Sequence, residues 1–202
     1  MSNKIVAKFN ANLFSIASAF VDKKCIRVKS VEVRPHKSGK GVTLCGFNGA
    51  RLLAIYDAEG FASETIYVKM NKHNDAICKE NETAVVEIYE GNTSANIVNN
   101  GSLIGVEPDA VQDQYEIDWL PLAPKWKSEF KQEAAKIDGR YLHEFTRAAK
   151  RLTGNSNFTM ETNGDRPICI RFEDYPAAFG LVQPMRKDKP DTEMGGLPDF
   201  MN

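Results

Sequence analysis

One pattern recurs three times along the chain and constrains its fold more than any other feature. Each copy has an amphipathic helix signal followed by several short strand-like runs that are separated by turn residues. The repeat length is about 60 residues, which is typical of a repeated structural unit. A single helix covers only part of such a sheet, so we expect the units to pack together. The pattern predicts an α+β protein of repeated βαβββ-type units, with antiparallel sheets and helices on one face.

The first copy begins with an apolar stripe that predicts a helix over 12–23. The pair Asn48-Gly49 is a strong hairpin signal, because both residues tolerate positive φ. Strands of the first copy are predicted over 26–34, 41–47 and 51–57.

The second and third copies have the same order of elements. The second copy predicts a short helix over 71–79 and strands over 65–70, 83–89, 94–98 and 102–106. In the third copy Asp138 is a helix N-cap candidate, and Gly154 ends that helix. Its strands are predicted over 157–162, 167–172 and 177–184. The segment 109–124 is predicted to be a connector, and 187–202 a disordered tail.

The overall charge does not predict nucleic-acid binding. The chain has 26 Lys+Arg against 27 Asp+Glu, so any contact with DNA must come from local segregation of charge. The N-terminal residues form no apolar run, and we expect a soluble, cytoplasmic protein with no membrane contact.

The four cysteines and three histidines do not have the spacing of a metal site. No C-x-x-C pair occurs, so no metal or cofactor is expected, and the cysteines are interpreted as small core or near-surface residues. The run 38–41, Ser-Gly-Lys-Gly, lacks the full spacing of a phosphate loop and lies between predicted strands. No catalytic arrangement is indicated, and we predict that the chain is not an enzyme. An active site assembled from distant residues stays open as an alternative.

Four segments resemble the bacterial sliding clamp, the β subunit of the replicative DNA polymerase. Segment 41–54 is similar to the strand-turn-strand around T-D-G-H-R-L-A, with Gly49, Arg51 and Leu52 matching and Asp and His replaced. Segment 113–121 resembles the connector Y-P-D-Y…L-P, and 138–145 resembles the helix opening N-x-x-Y-L. The run Leu-Val-Gln-Pro-Met-Arg over 181–186 resembles the terminal V-V-M-P-M-R.

The resemblance spans residues 4–187 and implies a shortened, phage-type DNA clamp. It divides the chain into one whole clamp-like domain of two units over 1–123, a shortened domain of one unit over 124–187, and a flexible tail over 188–202. The family's first domain has no counterpart in this chain.

Clamps of this family are rings that encircle duplex DNA with their helices on the inside. Basic residues on inner helices attract phosphates without reading bases. The DNA-facing candidates that the resemblance implies are Lys23, Lys24, Lys72, Lys79, Arg147, Lys150 and Arg151. The alternative for these residues is an ordinary solvated helix face.

The family also has an apolar pocket that docks short peptides of polymerases and repair proteins. The pocket residues carried over by the resemblance are Gly49, Arg51, Leu52, Pro121, Tyr141, Leu181, Val182, Pro184, Met185 and Arg186. Such a cleft suits an extended peptide with a Leu and an aromatic anchor. Alternatively, the apolar residues near 181–185 simply end a core strand.

The resemblance implies a processivity factor that tethers a polymerase or other replication and repair proteins to duplex DNA. Its expected partners are double-stranded DNA, polymerase and clamp-loader-type proteins, and further copies of the chain in a ring. The alternative is a clamp-like regulatory or decoy module that binds replication proteins without encircling DNA. The tail places Leu197 and Phe200 in an acidic segment, which is either a clamp-binding peptide or incidental.

Overall fold

The computed structural model describes residues 4–22, 29–113, 137–162 and 167–185, which form two antiparallel sheets and three helices. The helices are α1 (Ala11–Ser18), α2 (Lys72–Glu80) and α3 (Gly139–Thr153). The strands are β1 (Ile5–Asn10), β2 (Val31–Pro35), β3 (Val42–Phe47), β4 (Arg51–Asp57), β5 (Phe61–Ala62), β6 (Ile66–Val68), β7 (Val85–Tyr89), β8 (Ala95–Asn99), β9 (Ser102–Glu107), β10 (Thr159–Glu161), β11 (Ile168–Arg171) and β12 (Ala178–Val182).

The elements repeat in the order that the sequence predicts, and the α+β class is confirmed. Unit 1 comprises β1, α1 and β2 to β4; unit 2 comprises β6, α2 and β7 to β9. Unit 3 comprises α3 and β10 to β12. The predicted connector beyond residue 113 and the predicted tail lie outside the described residues.

Units 1 and 2 exchange their first strands. β1 of unit 1 pairs with β7 of unit 2, placing Ile5 opposite Tyr89. β6 of unit 2 pairs with β2 of unit 1, placing Val68 opposite Val31. The five-stranded sheet therefore has the order β5-β1-β7-β8-β9, and the two units share their sheets as one folded body.

Units 1 and 3 join edge to edge. The last strand of unit 1, β4, pairs antiparallel with the last strand of unit 3, β12, so that Leu52 lies opposite Leu181. This pairing builds a seven-stranded sheet in the order β10-β11-β12-β4-β3-β2-β6. We call the β4–β12 pairing the seam.

Local capping signals set the ends of the helices. The Asp138 side chain accepts a hydrogen bond from the backbone N–H of Arg140 at the start of α3, and Gly154 ends the helix with φ of 80°. Both predicted caps are confirmed. α1 is shorter than predicted and ends at Ser18. The N–H of Phe20 bonds back to the carbonyl of Ala17, three residues earlier, so the chain tightens into a turn there.

Strands β1 and β5 were not predicted. β1 carries Lys8 and Asn10 among its apolar residues, so its alternation is weak. Its position is fixed by β5 and β7, which flank it in the sheet. Such pairing is set by the tertiary fold and not by local propensity.

A continuous apolar core lies between the helices and the two sheets. Phe9, Phe14, Phe20, Phe145 and Phe172 are its largest fully buried aromatic side chains. Cys45, Cys78 and Cys169 are buried free thiols, which agrees with their interpretation as core residues. Cys25 lies outside the described residues. Among the residues described, no group of His, Cys, Asp or Glu could hold a metal ion, and no helix is long and apolar enough to cross a membrane.

Candidate docking seam and helix face

The turn between β3 and β4 presents one edge of the candidate docking site. The Asn48 side-chain oxygen accepts hydrogen bonds from the backbone N–H groups of Ala50 (3.0 Å) and Arg51 (2.9 Å). Gly49 has φ of 89°, in the left-handed region that the hairpin signal requires. The exposed tip of the turn is thereby fixed in shape at the end of the seam.

The seam brings the two main groups of predicted pocket residues together. Leu52 lies opposite Leu181, and Arg51 lies opposite Val182. Beyond the strand end, the backbone N–H of Gln183 donates to the carbonyl of Ala50 at 2.8 Å. Pro184 and the exposed Met185 follow directly in the chain. Two predicted pocket residues, Pro121 and Arg186, lie outside the described residues.

Strand alternation divides these pocket residues between the two faces of the sheet. Leu52 and Leu181 belong to a small cluster with Cys45, Ala54 and Cys169, whereas Val182 belongs to the main core. The cavity at this end of the seam has a volume of about 20 Å³. It is lined by Phe47, Gly49, Ala50, Arg51, Leu52, Pro167, Leu181 and Gln183. That volume suffices for about one water molecule, so the site is a shallow apolar depression.

Arg51 connects the seam to α3. Its Nη2 lies 2.5 Å from Glu144 Oε2, and its guanidinium carbon lies 5.1 Å from the Tyr141 ring centroid. The same guanidinium lies 5.7 Å from the centroid of the Phe20 ring. Cation–π contacts and an ion pair therefore hold the side chain against α3 and against the turn that follows α1. The sequence resemblance identified Tyr141 but missed Glu144. Residues three apart on a helix lie side by side on its surface, so the position of Glu144 relative to Tyr141 could have indicated its place in the site.

The three helices meet around a second, larger cavity of about 290 Å³. Its lining includes Ser18, Asp75, Lys79, Glu144, Arg147 and Arg151. Positive and negative side chains therefore share this surface, which we call the helix face. The predicted cations of two helices do converge here.

The predicted DNA-facing residues differ in the exposure of their side chains and in whether they form ion pairs. Lys72, Arg147 and Lys150 are exposed, and no ion pair involves them among the described parts of the chain. Lys79 is exposed, but its Nζ lies 2.9 Å from Asp75 Oδ2. Arg151 turns inward. Lys23 and Lys24 lie outside the described residues.

Arg151 links α3 to the start of α1. Its Nη2 donates to the side-chain oxygen of Asn12 at 2.6 Å, and burial lowers the pKa of its guanidinium. The helical pattern places Arg151 near the polar face of α3, but its long side chain reaches a neighbouring helix instead. Its charge is therefore less available to a phosphate than that of Lys150.

Asp75 is the centre of a buried polar network beneath the helix face. Its carboxylate accepts hydrogen bonds from Ser15 Oγ (2.6 Å), Ser18 Oγ (3.1 Å) and Lys79 Nζ (2.9 Å). Burial opposes ionisation, but these hydrogen bonds and the Lys79 charge outweigh it and lower the pKa of Asp75 below its ordinary value of 3.8. The network ties α1 to α2 and was not anticipated from the sequence.

We expect Asp75→Asn to lower the free energy of unfolding by about 1–3 kcal/mol at pH 7, because two serine hydroxyls lose a charged acceptor. A depressed carboxyl pKa stabilises the fold above the unfolded pKa of 3.8, and this contribution is lost as pH falls through the folded value. The difference between wild type and variant should therefore shrink below about pH 4. Urea unfolding from pH 3 to pH 7 measures it. A difference that is constant across this range would contradict the role of Asp75 ionisation.

Comparison with solved structures identifies the fold, whereas sequence comparison does not: no family model and no curated protein matches the chain. The sliding clamp (DNA polymerase III subunit beta) of Bartonella birtlesii bound to griselimycin aligns with a TM-score of 0.67 at 10% identity, covering 93% of this chain and 68% of that one. The Pseudomonas aeruginosa sliding clamp with ligand aligns at 0.66 and 10% identity, covering 90% and 66%. The Helicobacter pylori β clamp in complex with diflunisal aligns at 0.63 and 13% identity, covering 92% and 66%.

The chain spans about two thirds of the length of these clamp chains. The resemblance seen in four short segments thus extends to the whole described fold. Its repeated units, exchanged strands and joined sheet give this chain the DNA-clamp fold of the bacterial polymerase III β sliding clamps.

Proposed function

We propose that the chain is a non-enzymatic, cytoplasmic processivity factor of the sliding-clamp kind, which tethers a polymerase or other replication and repair proteins to duplex DNA. The observation that carries the proposal is the clamp fold, with three helices meeting at one face and the seam at the junction of units 1 and 3. We retain the division into a clamp-like domain over 1–123, a shortened one over 124–187 and a tail over 188–202.

DNA contact is assigned to the helix face. Arg147 and Lys150 project from α3 as exposed cations, and Lys72 does so at the start of α2. Cations of this kind bind phosphates without sequence preference and release counterions, so binding weakens as salt rises.

The double variant Arg147→Glu/Lys150→Glu should weaken binding to a random-sequence duplex and reduce the steepness of its salt dependence. Loss of two phosphate contacts lowers the slope of log K against log salt by about 2. Fluorescence anisotropy with a labelled duplex at several salt concentrations measures both quantities. The control, Lys37→Glu/Lys40→Glu, makes the same charge change on the exposed turn between β2 and β3. Equal losses in the two variants would contradict the assignment.

Encirclement of DNA by a homo-oligomeric ring is the central part of the proposal. A closed ring is retained on a circular duplex and slides off the ends of a linear one. We therefore expect retention on nicked circular DNA through gel filtration at high salt, and loss after the circle is cut once. Equal loss from both DNA forms would refute topological linkage. The measurement uses the full chain, loaded by whatever clamp loader its host provides.

Peptide docking is assigned to the open end of the seam, near Gly49 and Met185. Both are exposed, and Gly49 lines the depression together with the apolar pair Leu52 and Leu181, which suits an extended peptide with a Leu and an aromatic anchor. The cavity there is small, so we expect the peptide to lie across the surface and pack against the exposed Met185 side chain.

Met185→Ala should weaken binding of such a peptide about tenfold, because a central apolar contact is removed. A synthetic peptide of residues 195–202, which contains Leu197 and Phe200, is a direct probe by anisotropy. The control is Met160→Ala, since the Met160 and Met185 side chains are both 46% exposed. If Met160→Ala weakens the peptide as much, the docking site does not lie at the seam.

A second candidate function is a regulatory module that binds replication proteins without encircling DNA. The presence of Asp75 and Glu144 on the helix face favours it, since these carboxylates offset part of the positive charge there. This module would bind the peptide as above but would be lost equally from circular and linear DNA.

A further inference from the structure

A cavity of about 240 Å³ lies where β6 of unit 2 pairs with β2 of unit 1, and we call it the junction cavity. It lies beside the cavity of the helix face, because Ser18 and Val21 at the end of α1 line both. The DNA and peptide sites assigned above make no use of it. Its lining comprises Phe14, Ser18, Val21, Lys29, Val31, Val68, Lys69 and Met70.

Most of the cavity wall is apolar and belongs to regular elements. Phe14 projects from α1, Val31 from β2 and Val68 from β6, and all three side chains are buried. Val21 and Met70 complete the apolar part of the wall. A wall that is already formed can bind an apolar group without a cost in ordering. The volume is below the 300 Å³ or so at which drug-sized pockets begin, so a ligand here must be small.

Two lysines add positive charge to this apolar wall. Lys29 precedes β2 and Lys69 follows β6. Val31 lies opposite Val68 in the antiparallel pairing, so both lysines extend beyond the same end of the two strands. Both side chains are partly buried, and neither ammonium forms an ion pair or a hydrogen bond within the described parts of the chain. The junction cavity therefore has two cations without a counter-charge.

The other polar side chain in the described lining already has its partners. Ser18 Oγ lies 3.1 Å from Asp75 Oδ1 and 3.0 Å from the carbonyl oxygen of Ser15. Its hydroxyl proton is thus engaged inside the protein, and the polar donors that remain for a ligand are the two ammonium groups. Two cations beside an apolar wall are complementary to a molecule with an apolar body and one anionic end.

We propose that the junction cavity binds a small organic carboxylate with an apolar body. The carboxylate bonds to Lys29 and Lys69, and the apolar body packs against Phe14, Val68 and Met70. Hydrogen bonds between charged groups are stronger than neutral ones, and an anion between two ammonium groups also relieves their mutual repulsion. A ligand in this place contacts both units at their exchanged strands. It should therefore stabilise the folded chain, and this is measured without DNA.

Naphthoate, a carboxylate on two fused rings, is the probe. Isothermal titration calorimetry at low salt should give one site per chain, and the thermal midpoint should rise with naphthoate concentration. Lys29→Met and Lys69→Met should each weaken binding about tenfold, because methionine keeps an apolar side chain of similar length and removes the ammonium. Both lysines are partly exposed, so the variants should fold. The control is Lys37→Met on the exposed turn between β2 and β3.

Neutral naphthamide should bind at least tenfold more weakly than naphthoate, since it lacks the charge. Equal binding of the two compounds, or an equal loss of affinity in Lys37→Met, would overturn the proposal. Displacement of naphthoate by the peptide of residues 195–202 would show that the cavity takes a peptide segment, and would also overturn it.

Methyl NMR of methionine-labelled protein locates the ligand. The Met70 methyl signal should shift on saturation with naphthoate, whereas those of Met160 and Met185, which are exposed elsewhere, should stay in place. Ala19→Trp partly fills the helix-face cavity from an exposed position and should leave the affinity unchanged. An unshifted Met70 signal would overturn the proposal. These results do not depend on the effect of Arg147→Glu/Lys150→Glu on DNA, so failure here is separable from failure of the proposed function.

Discussion

Replacing Gly46 with alanine is expected to lower the free energy of unfolding by about 3 kcal/mol or more, through overpacking against backbone. Gly46 lies in β3 directly beneath α1. An added Cβ would overlap the carbonyl oxygen of Ala17 and lie 2.9 Å from the carbonyl carbon of that residue. A main-chain carbonyl cannot rotate away as a side chain can, so α1 must move off the sheet. Urea or thermal unfolding gives the magnitude.

Gly139→Ala is the matched control for this prediction. Gly139 lies in the first turn of α3, has no positive φ, and has open space where the Cβ would be. Alanine should stabilise the protein there by about 0.5–1 kcal/mol, because it restricts the unfolded chain and favours the helix. Loss of stability in both variants would indicate a general intolerance of Gly→Ala changes rather than a close contact between α1 and β3.

Phe145→Ala should have an equally large effect, with a loss of about 3–5 kcal/mol. The Phe145 side chain is fully buried, and its ring centroid lies 4.8 Å from that of Phe20. Its ring also occupies the space that the missing side chain of Gly180 leaves on β12. Phe145 therefore attaches α3 both to unit 1 and to its own sheet, and its removal leaves a cavity at the junction of the two units.

The exposed His143 provides the control on the same helix, since His143→Ala should change stability by less than about 0.5 kcal/mol. Native-state hydrogen exchange adds a second measurement. In Phe145→Ala the backbone amides of α3 should lose protection from hydrogen exchange before those of α2, because Phe145 belongs to α3 and packs that helix against the core. A loss below about 1 kcal/mol would contradict the fully packed position of Phe145.

Local chemistry made much of this fold predictable. The turn at Asn48-Gly49 and the two ends of α3, at Asp138 and Gly154, could be predicted from the sequence. Each is set by a side-chain acceptor or by a glycine with positive φ, and these depend only on residues nearby in the chain. β1 and β5 could not be predicted in this way, because their place depends on pairing with strands far away in the sequence.

The candidate site was only partly predictable. The resemblance named Arg51 and Leu181 as neighbours, and the seam does bring their strands together. Strand alternation alone places the consecutive residues Arg51 and Leu52 on opposite faces of the joined sheet. The resemblance could not tell the register of β4 against β12, which sets Leu52 opposite Leu181 and Arg51 opposite Val182. The partners of Arg151 and Asp75 come from other helices, so helical periodicity within one element could not identify them.

The exchange of first strands between units 1 and 2 has a consequence for the order in which the chain can fold. Ile5 to Asn10 are synthesised first, but most of their sheet contacts are with Val85 to Tyr89. During translation β1 must wait for β6, α2 and β7 of unit 2, with its apolar side chains uncovered. Contacts between such distant segments slow folding, because a long loop must close before any stabilisation is gained. Chaperone capture of the nascent chain should therefore end only when β7 has left the ribosome.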